Sequence, residues 1–307
     1  MRCRKCGEKA VINMRQHRLS LCKQHYLEWL PNHILKFIKK YEMFSEPDRV
    51  LVAVSGGKDS LALWDILWKL GFHTEGFYIN LGIDAEIAYS NRSMEFAQNF
   101  ADQRNLTLHI ADVKRDYGES IPEISVRTRR GRTKPCSLCG LIRRHMMNQF
   151  AVNGQYDVLV TAHNLDDEAA ILLANALDWS LEFLARGEPV LPSKPGFIKK
   201  VKPLCRTYER EAAAYAILRD IEYMRDECPF SIGSKQRYYK KYLNEWEEKR
   251  PGTKLRFYLN YLAAIAQGAF PTRQESAQQL AQQRCPQCGQ PTNTGGLCAF
   301  CKLFDKK

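Results

Sequence analysis

Short apolar runs alternate with stretches of helical period along most of the chain. Residues 49–54, RVLVAV, form a β-rich run bounded by turn residues, and residues 59–70, DSLALWDILWKL, place their apolar positions at helical spacing. The same alternation continues with a strand over 74–82, a helix over 85–104, a strand over 106–112, a helix over 139–152 and a strand over 156–163. This order predicts βαβ units, and so an α/β fold with a doubly wound, mostly parallel sheet covered by helices. Residues 186–204, rich in Pro, Gly and Lys, break the pattern and read as an exposed connection. Helical spacing returns over 210–221 and twice between 236 and 269, and both ends of the chain are rich in cysteine. The expected division is a head at 1–30, a central domain at 31–230, a helical extension at 231–280 and a tail at 281–307.

Composition narrows the class. The 307 residues are 45% hydrophobic, enough to fill a core, and no low-complexity tract points to disorder. The longest apolar stretch, residues 258–270, is too short and interrupted to span a bilayer, and the opening MRCRKCGEKA lacks the apolar region of a signal peptide. A cytoplasmic protein without membrane association is the expectation. In that reducing compartment the eleven cysteines read as metal or catalytic ligands rather than disulfides. The formal net charge of +12 favours a polyanionic partner.

Residues 51–60, LVAVSGGKDS, carry the first chemical signal. A strand ends at Val54, and Ser55-Gly56-Gly57-Lys58-Asp59-Ser60 leads directly into a helix. Two glycines let the backbone approach an anion, the helix N-terminus offers unpaired N–H groups, and Ser55 and Ser60 add hydroxyls. Lys58 can neutralise phosphate. The Walker A spacing is absent. The segment resembles the pyrophosphate loop of the PP-loop ATPases, which split ATP between its α and β phosphates; that resemblance places Asp59 near the phosphates, through Mg²⁺. In a doubly wound sheet the ligand lies beyond the carboxyl ends of the strands, which makes Ala53, Ile79 and Ala162 candidates to pack on an adenine or, equally, core residues.

The cysteines divide into three groups. Cys3, Cys6, Cys22 and His25 form one set of two close pairs, and Cys285, Cys288, Cys298 and Cys301 form another. Each is the ligand set of a closed tetrahedral zinc site, with no position left for substrate. Cys136, Cys139, Cys205 and Cys228 remain. Spacing alone leaves a third zinc site, a catalytic thiol pair, or an iron–sulfur cluster on Cys136, Cys139 and Cys228, with one iron open to substrate.

Residues 135–140 (PCSLCG), 161–169 (TAHNLDDEA) and 227–229 (ECP), set between two zinc fingers and behind the phosphate loop, resemble the tRNA 2-thiouridine synthetase family over nearly the whole chain, and its T-loop thiolation members most closely. The resemblance implies an adenine-nucleotide α-hydrolase-like fold and a [4Fe–4S] cluster on Cys136, Cys139 and Cys228, beside two Zn²⁺ and ATP with Mg²⁺. Cys205 matches no ligand. It implies a sulfurtransferase that adenylates O2 of a tRNA uridine, of T-loop 5-methyluridine in the first instance, and replaces it with sulfur. Wobble uridine, or cytidine of the anticodon loop, is the alternative substrate, and a non-enzymatic zinc protein that binds nucleic acid is the distant one. A small ubiquitin-like carrier ending in thiocarboxylate serves related enzymes as sulfur donor, and members are often homodimers. Arg143, one helical turn beyond Cys139, is expected to face the cluster cavity, where the family commonly carries a basic residue. Asp167 either caps the helix after the strand at 156–163 or acts beside the nucleotide, the role the family assigns it. The run Arg127, Arg129, Arg130, Arg132 and Lys134, with Lys194, Lys199, Lys200 and Lys202, is expected to carry tRNA backbone.

Overall fold

A computed structural model describes residues 1–84, 87–231, 235–270 and 283–305. The head is a hairpin, β1 (Ile12–Met14) with β2 (Leu19–Leu21), followed by α1 (Lys23–Lys40). The central sheet has six strands, β3 (Val50–Val54), β4 (Thr74–Asn80), β5 (Leu108–Asp112), β6 (Val158–Val160), β7 (Val190–Leu191) and β8 (Lys199–Val201). Their order across the sheet is β5-β4-β3-β6-β8-β7, parallel throughout except for β7. The chain runs outward from β3 to β4 and β5, then returns to place β6 on the other side of β3. That reversal makes a crevice at the carboxyl ends of β3 and β6, where ligands of such sheets bind.

The connecting helices are α2 (Lys58–Lys69), α3 (Tyr89–Asp102), α4 (Val113–Tyr117), α5 (Ile121–Arg127), α6 (Arg129–Thr133), α7 (Pro135–Asn153), α8 (Leu165–Leu177) and α9 (Leu181–Leu184). After β8 come α10 (Glu209–Leu218), α11 (Lys235–Lys249), α12 (Thr253–Ala266) and, in the tail, α13 (Cys301–Phe304). Alternation along β3 assigns its two faces: Val50, Val52 and Val54 join one apolar cluster, while Leu51 and Ala53 face another. The first cluster takes in α1, α2, α10 and the head hairpin. The second takes in α5, α7 and the tail cysteines. Both cysteine-rich ends are therefore part of the main core, and each fully buried Leu or Ile there contributes about 1.5–3 kcal/mol. The boundary expected at residue 30 falls inside α1. One buried carboxylate ties three helices together: Asp65 accepts from Arg104 Nε at 2.8 Å, Tyr215 at 2.8 Å and Arg219 Nε at 3.0 Å. Burial opposes its charge, but these donors hold its pKa below the ordinary value.

The structure corrects the reading of residues 186–204 as an exposed connection. This segment supplies β7 and β8, and β8 is the parallel neighbour of β6, with Val201 fully buried. Two lysines expected there as free charge are engaged: Lys202 pairs with buried Glu168 at 2.7 Å, and Lys199 donates to the Glu42 carbonyl at 2.7 Å. Of the expected helix over 85–104, residues 89–102 are helical, and residues 85–86 lie outside the described residues.

Candidate active site

The phosphate loop sits at the crevice. Gly56 adopts φ +74°, and a Cβ there would lie 2.1 Å from the Ser93 carbonyl oxygen, so no other residue fits without moving the loop. Its carbonyl accepts from the Met224 N–H at 2.9 Å. Gly57 is different. A Cβ there would meet only Ser55 Oγ, at 3.5 Å, so the fold itself accepts a side chain and the bare backbone is left for an approaching ligand. Ser60 Oγ braces the turn, accepting from Ser55 N at 3.1 Å and donating to the Gly57 carbonyl at 3.0 Å. Gly57 caps α2 without a side-chain hydrogen bond, which leaves the N-terminal amides of the helix for an anion.

Around the loop is a charged network that sequence spacing does not show. Lys58 Nζ reaches Glu209 at 2.7 Å and Asp59 at 3.0 Å. Lys240 Nζ bridges Asp167 at 2.7 Å and Glu209 at 3.1 Å. Asn164 donates to Asp59 at 3.2 Å, and Gln236 donates to Asp167 at 3.3 Å. Burial raises the pKa of Asp59 although Lys58 opposes it. Burial also opposes the charge of Glu209, but Lys240 and Lys58 hold it down to about 2. Asp167 closes a capping box with Asn164 at the start of α8, so it serves as a cap while its second oxygen faces Lys240. Glu209 and Lys240 were not legible beforehand, standing 151 and 182 residues from Lys58.

Ala53 and Ile79 lie on the sheet face that also holds Cys139 and Cys228, whereas Ala162 packs against the cluster on the opposite face. Cys136 and Cys139 occupy the first turn of α7, one turn earlier than the periodicity placed the helix. Cys136 Sγ donates to the Phe230 carbonyl at 3.2 Å, which joins α7 to the turn after Cys228. Arg143 is half-buried beside Cys139, Tyr89, Tyr78 and Cys228, and Cys139 favours its charged form most. Burial pushes up the thiols of Cys136 and Cys228. Cys205 lies elsewhere, wholly buried in the first cluster with its thiol pushed up to about 12 by burial. Among the described residues only the head and tail sets bring three or more ligand atoms within 4.8 Å of one another. The central trio stands wider than a single-ion site, and three soft thiols around a cation suit a polynuclear iron–sulfur group.

The terminal sets fit zinc. A tetrahedral zinc with Zn–S near 2.3 Å and Zn–N near 2.0–2.1 Å gives S···S edges of about 3.8 Å and S···N edges of about 3.6 Å. In the head, Cys6 and Cys22 sulfurs are 3.7 Å apart, and His25 Nδ1 is 3.5 and 3.3 Å from the sulfurs of Cys3 and Cys22. In the tail, Cys288 and Cys298 sulfurs are 3.7 Å apart. The tail is anchored on α7 itself: the His145 ring stacks on Phe300 at 3.8 Å, and Asn148 donates to Gln290 at 3.1 Å.

Residues 28–238 match the PP-loop domain family, and residues 2–27 match the N-terminal LIM domain of the 2-thiouridine synthetase TtuA. The chain belongs to the PP-loop family of tRNA 2-thiouridine synthetases. It is 45% identical over 305 residues to the tRNA-5-methyluridine(54) 2-sulfurtransferase of Thermus thermophilus, a match covering 99% of this chain and 91% of the relative. The enzyme of the same name from Pyrococcus horikoshii is 41% identical, with 100% and 94% covered. The solved structure of the U34-tRNA thiolase NcsA from Methanococcus maripaludis with its [4Fe-4S] cluster aligns with a TM-score of 0.76 at 26% identity, covering 87% of this chain and 88% of that one. The doubly wound, mostly parallel sheet read from strand–helix alternation, and the PP-loop fold implied by the resemblance, are the fold of this family.

Proposed function

We propose that the chain is an ATP-dependent tRNA sulfurtransferase that replaces O2 of T-loop 5-methyluridine with sulfur, releasing AMP and pyrophosphate. The observation that carries this reading is a phosphate loop at the carboxyl end of β3 on a fold whose same sheet face carries Cys139 and Cys228 beside half-buried Arg143. The names of the relatives at 39–45% identity favour the T-loop base over the wobble uridine, whose NcsA enzyme stands at 26%.

In this reading ATP lies across the carboxyl ends of β3 and β6. The amides of Gly57 to Ser60, the Ser55 hydroxyl and Lys58 hold its phosphates, and Asp59 holds Mg²⁺. Ala53 and Ile79 flank the adenine from one face of the sheet, with Ala162 at the edge of the other. Attack of the uridine O2 on the α-phosphate converts an inert carbonyl oxygen into a leaving group. Asp167, oriented by Asn164 and Lys240, borders the reacting phosphate. Arg143 stabilises negative charge that develops between nucleotide and base. Cys136, Cys139 and Cys228 would hold a [4Fe–4S] cluster, which when bound supplies an iron with an open position for sulfur. The terminal sets hold two structural zinc ions.

A thiocarboxylated ubiquitin-like carrier as sulfur source, a homodimeric assembly and a cytoplasmic location complete the proposal. Related plant and fungal proteins carry the name cytoplasmic tRNA 2-thiolation protein 1, and among the described residues no helix is long and apolar enough to cross a membrane. The test is anaerobic turnover with tRNA, ATP and sulfide, read by mass spectrometry of nucleosides. Thiolated 5-methyluridine with stoichiometric AMP supports the proposal, whereas AMP-free or thiolated-cytidine product contradicts it.

A further inference from the structure

Beside the phosphate loop, side chains from α2, α8, α10 and α11 close into a ring, and the proposed reaction accounts for only part of it. Lys58 Nζ joins Asp59 at 3.0 Å to Glu209 Oε1 at 2.7 Å. Lys240 Nζ joins Glu209 Oε2 at 3.1 Å to Asp167 Oδ1 at 2.7 Å. Asn164, the cap of α8, closes the circuit: its side-chain amide donates to Asp59 at 3.2 Å and its backbone N–H to Asp167 at 3.2 Å. Glu209 thus serves both lysines, one with each oxygen.

Packing holds Lys240 in this place. Gln236 and Lys240 stand four residues apart on one face of α11 and both reach Asp167, while Leu243 packs on Ala169 and Ala170 of α8. Burial opposes the charge of Lys240, but Asp167 and Glu209 raise its pKa above the ordinary value, so it stays an ammonium. Neighbouring Asp166 adds no free charge, because it pairs with Lys254 while accepting from the Glu209 N–H at 2.8 Å. The ring therefore carries three carboxylates against two ammonium groups, a net charge of −1, and without Lys240 it would carry −2.

A phosphate on the loop competes with Glu209 for the Lys58 ammonium. If Glu209 gave up Lys58 with no other cation beside it, a half-buried carboxylate would face the incoming anion uncompensated. We propose that Lys240 is a positioning residue of the nucleotide site: it stays on Glu209 when Lys58 turns to phosphate, so the loop lysine changes partner at little electrostatic cost. One contact of Lys240 holds Asp167, and the other, on Glu209, sets how freely Lys58 leaves. The inference rests on the nucleotide placement given above and not on which RNA base reacts.

The experiment measures equilibrium binding of ATP with Mg²⁺ to the full zinc-loaded chain, without RNA, in wild type, Lys240→Met, Glu209→Gln and the double variant. Lys240→Met should weaken ATP binding about tenfold, the lower range for a lost hydrogen bond to a charged group, because the ring is partly open to water. Glu209→Gln alone should bind ATP at least as well as wild type, since the competitor for Lys58 has lost its charge. The double variant, back at a net charge of −1, should recover to within about threefold of wild type. If Lys240 only holds α11 in place, the second substitution removes one more contact and the double variant binds no better than Lys240→Met; that result overturns the proposal. Wild-type affinity in Lys240→Met overturns it too. So does weakened affinity in Glu209→Gln, a reading that needs no Lys240 variant to fold. Because no RNA is present, a chain that shows the expected pattern yet never thiolates RNA contradicts the proposed reaction alone. A thiolating chain without the pattern contradicts the exchange of partners alone.

Discussion

Replacing each glycine of the phosphate loop by alanine separates what the fold needs from what the ligand needs. At Gly56 the new Cβ would stand about 1.3 Å inside van der Waals contact with the Ser93 carbonyl, on a backbone held at φ +74°. The left-handed conformation costs about 1–2 kcal/mol for alanine. Displacing the loop also breaks the hydrogen bond from Met224 N, worth about 0.5–1.5 kcal/mol. Together these give about 2–3 kcal/mol, or a fall in Tm of roughly 3–5 °C for a chain of this size. Gly57→Ala meets only Ser55 Oγ, at an ordinary contact distance of 3.5 Å, with φ −88° and ψ 162° that alanine adopts freely, so its Tm should stay within about 2 °C of wild type. Both variants should lose ATP affinity by more than about tenfold, the first because the loop has moved and the second because a methyl group stands where phosphate approaches. Differential scanning calorimetry and equilibrium ATP binding on the same samples decide the matter. A Gly57→Ala protein that binds ATP as wild type does would refute the claim that the bare backbone there serves the nucleotide.

Three further outcomes are expected. Cys136→Ala, Cys139→Ala or Cys228→Ala, purified anaerobically, should lose iron and labile sulfide and all thiolation activity while keeping about two zinc per chain; retained iron would exclude that residue as a ligand. The pKa of Glu209 lies near 2 in the folded chain against an ordinary 4.5, so its stabilising contribution is complete above pH 4.5 and is lost as pH falls towards 2. Glu209→Gln should therefore flatten the decline of Tm over that acid window, and a decline as steep as that of wild type would show that the carboxylate is not held by Lys58 and Lys240. Finally, chelation of zinc, or Cys22→Ser, should lower the main unfolding transition and not only release the head, because Cys3 and Cys22 are buried in the same cluster as α1 and α2; a separate low-temperature transition with the main one unmoved would contradict this.

Most of the central architecture was legible because its strands are long or fully apolar. β3 and α2 state their periods openly, and the ligand spacing of both terminal sets survives intact in the structure. β8 escaped notice for a physical reason. Only three residues long, it begins with Lys199 and Lys200 and is flanked by Pro and Gly, so neither alternation nor an apolar run marks it; pairing with β6 creates it. Lys202 reads as a solvated charge until Glu168, 34 residues away in sequence, is brought within 2.7 Å. The same holds for Glu209 and Lys240, whose partners are set by the packing of α10 on α2 and of α11 on α8. Sequence spacing reports ligands that lie close along the chain, whereas networks assembled across elements appear only with the tertiary fold.

The hydrogen bond from Met224 to the Gly56 carbonyl has a thermodynamic corollary. Three residues separate Met224 from Cys228, and the ion pair of Arg92 with Asp226, at 2.8 Å, ties the strip between them to α3, the helix whose Ser93 carbonyl packs on Gly56. The loop and the third thiol are thus mechanically continuous. If nucleotide tightens the loop's geometry and the thiol's together, linkage makes the exchange symmetric: ATP should raise the affinity for the metal group, and the loaded centre should raise the affinity for ATP by the same factor. Two reagents that never touch would then report on each other through a single peptide N–H.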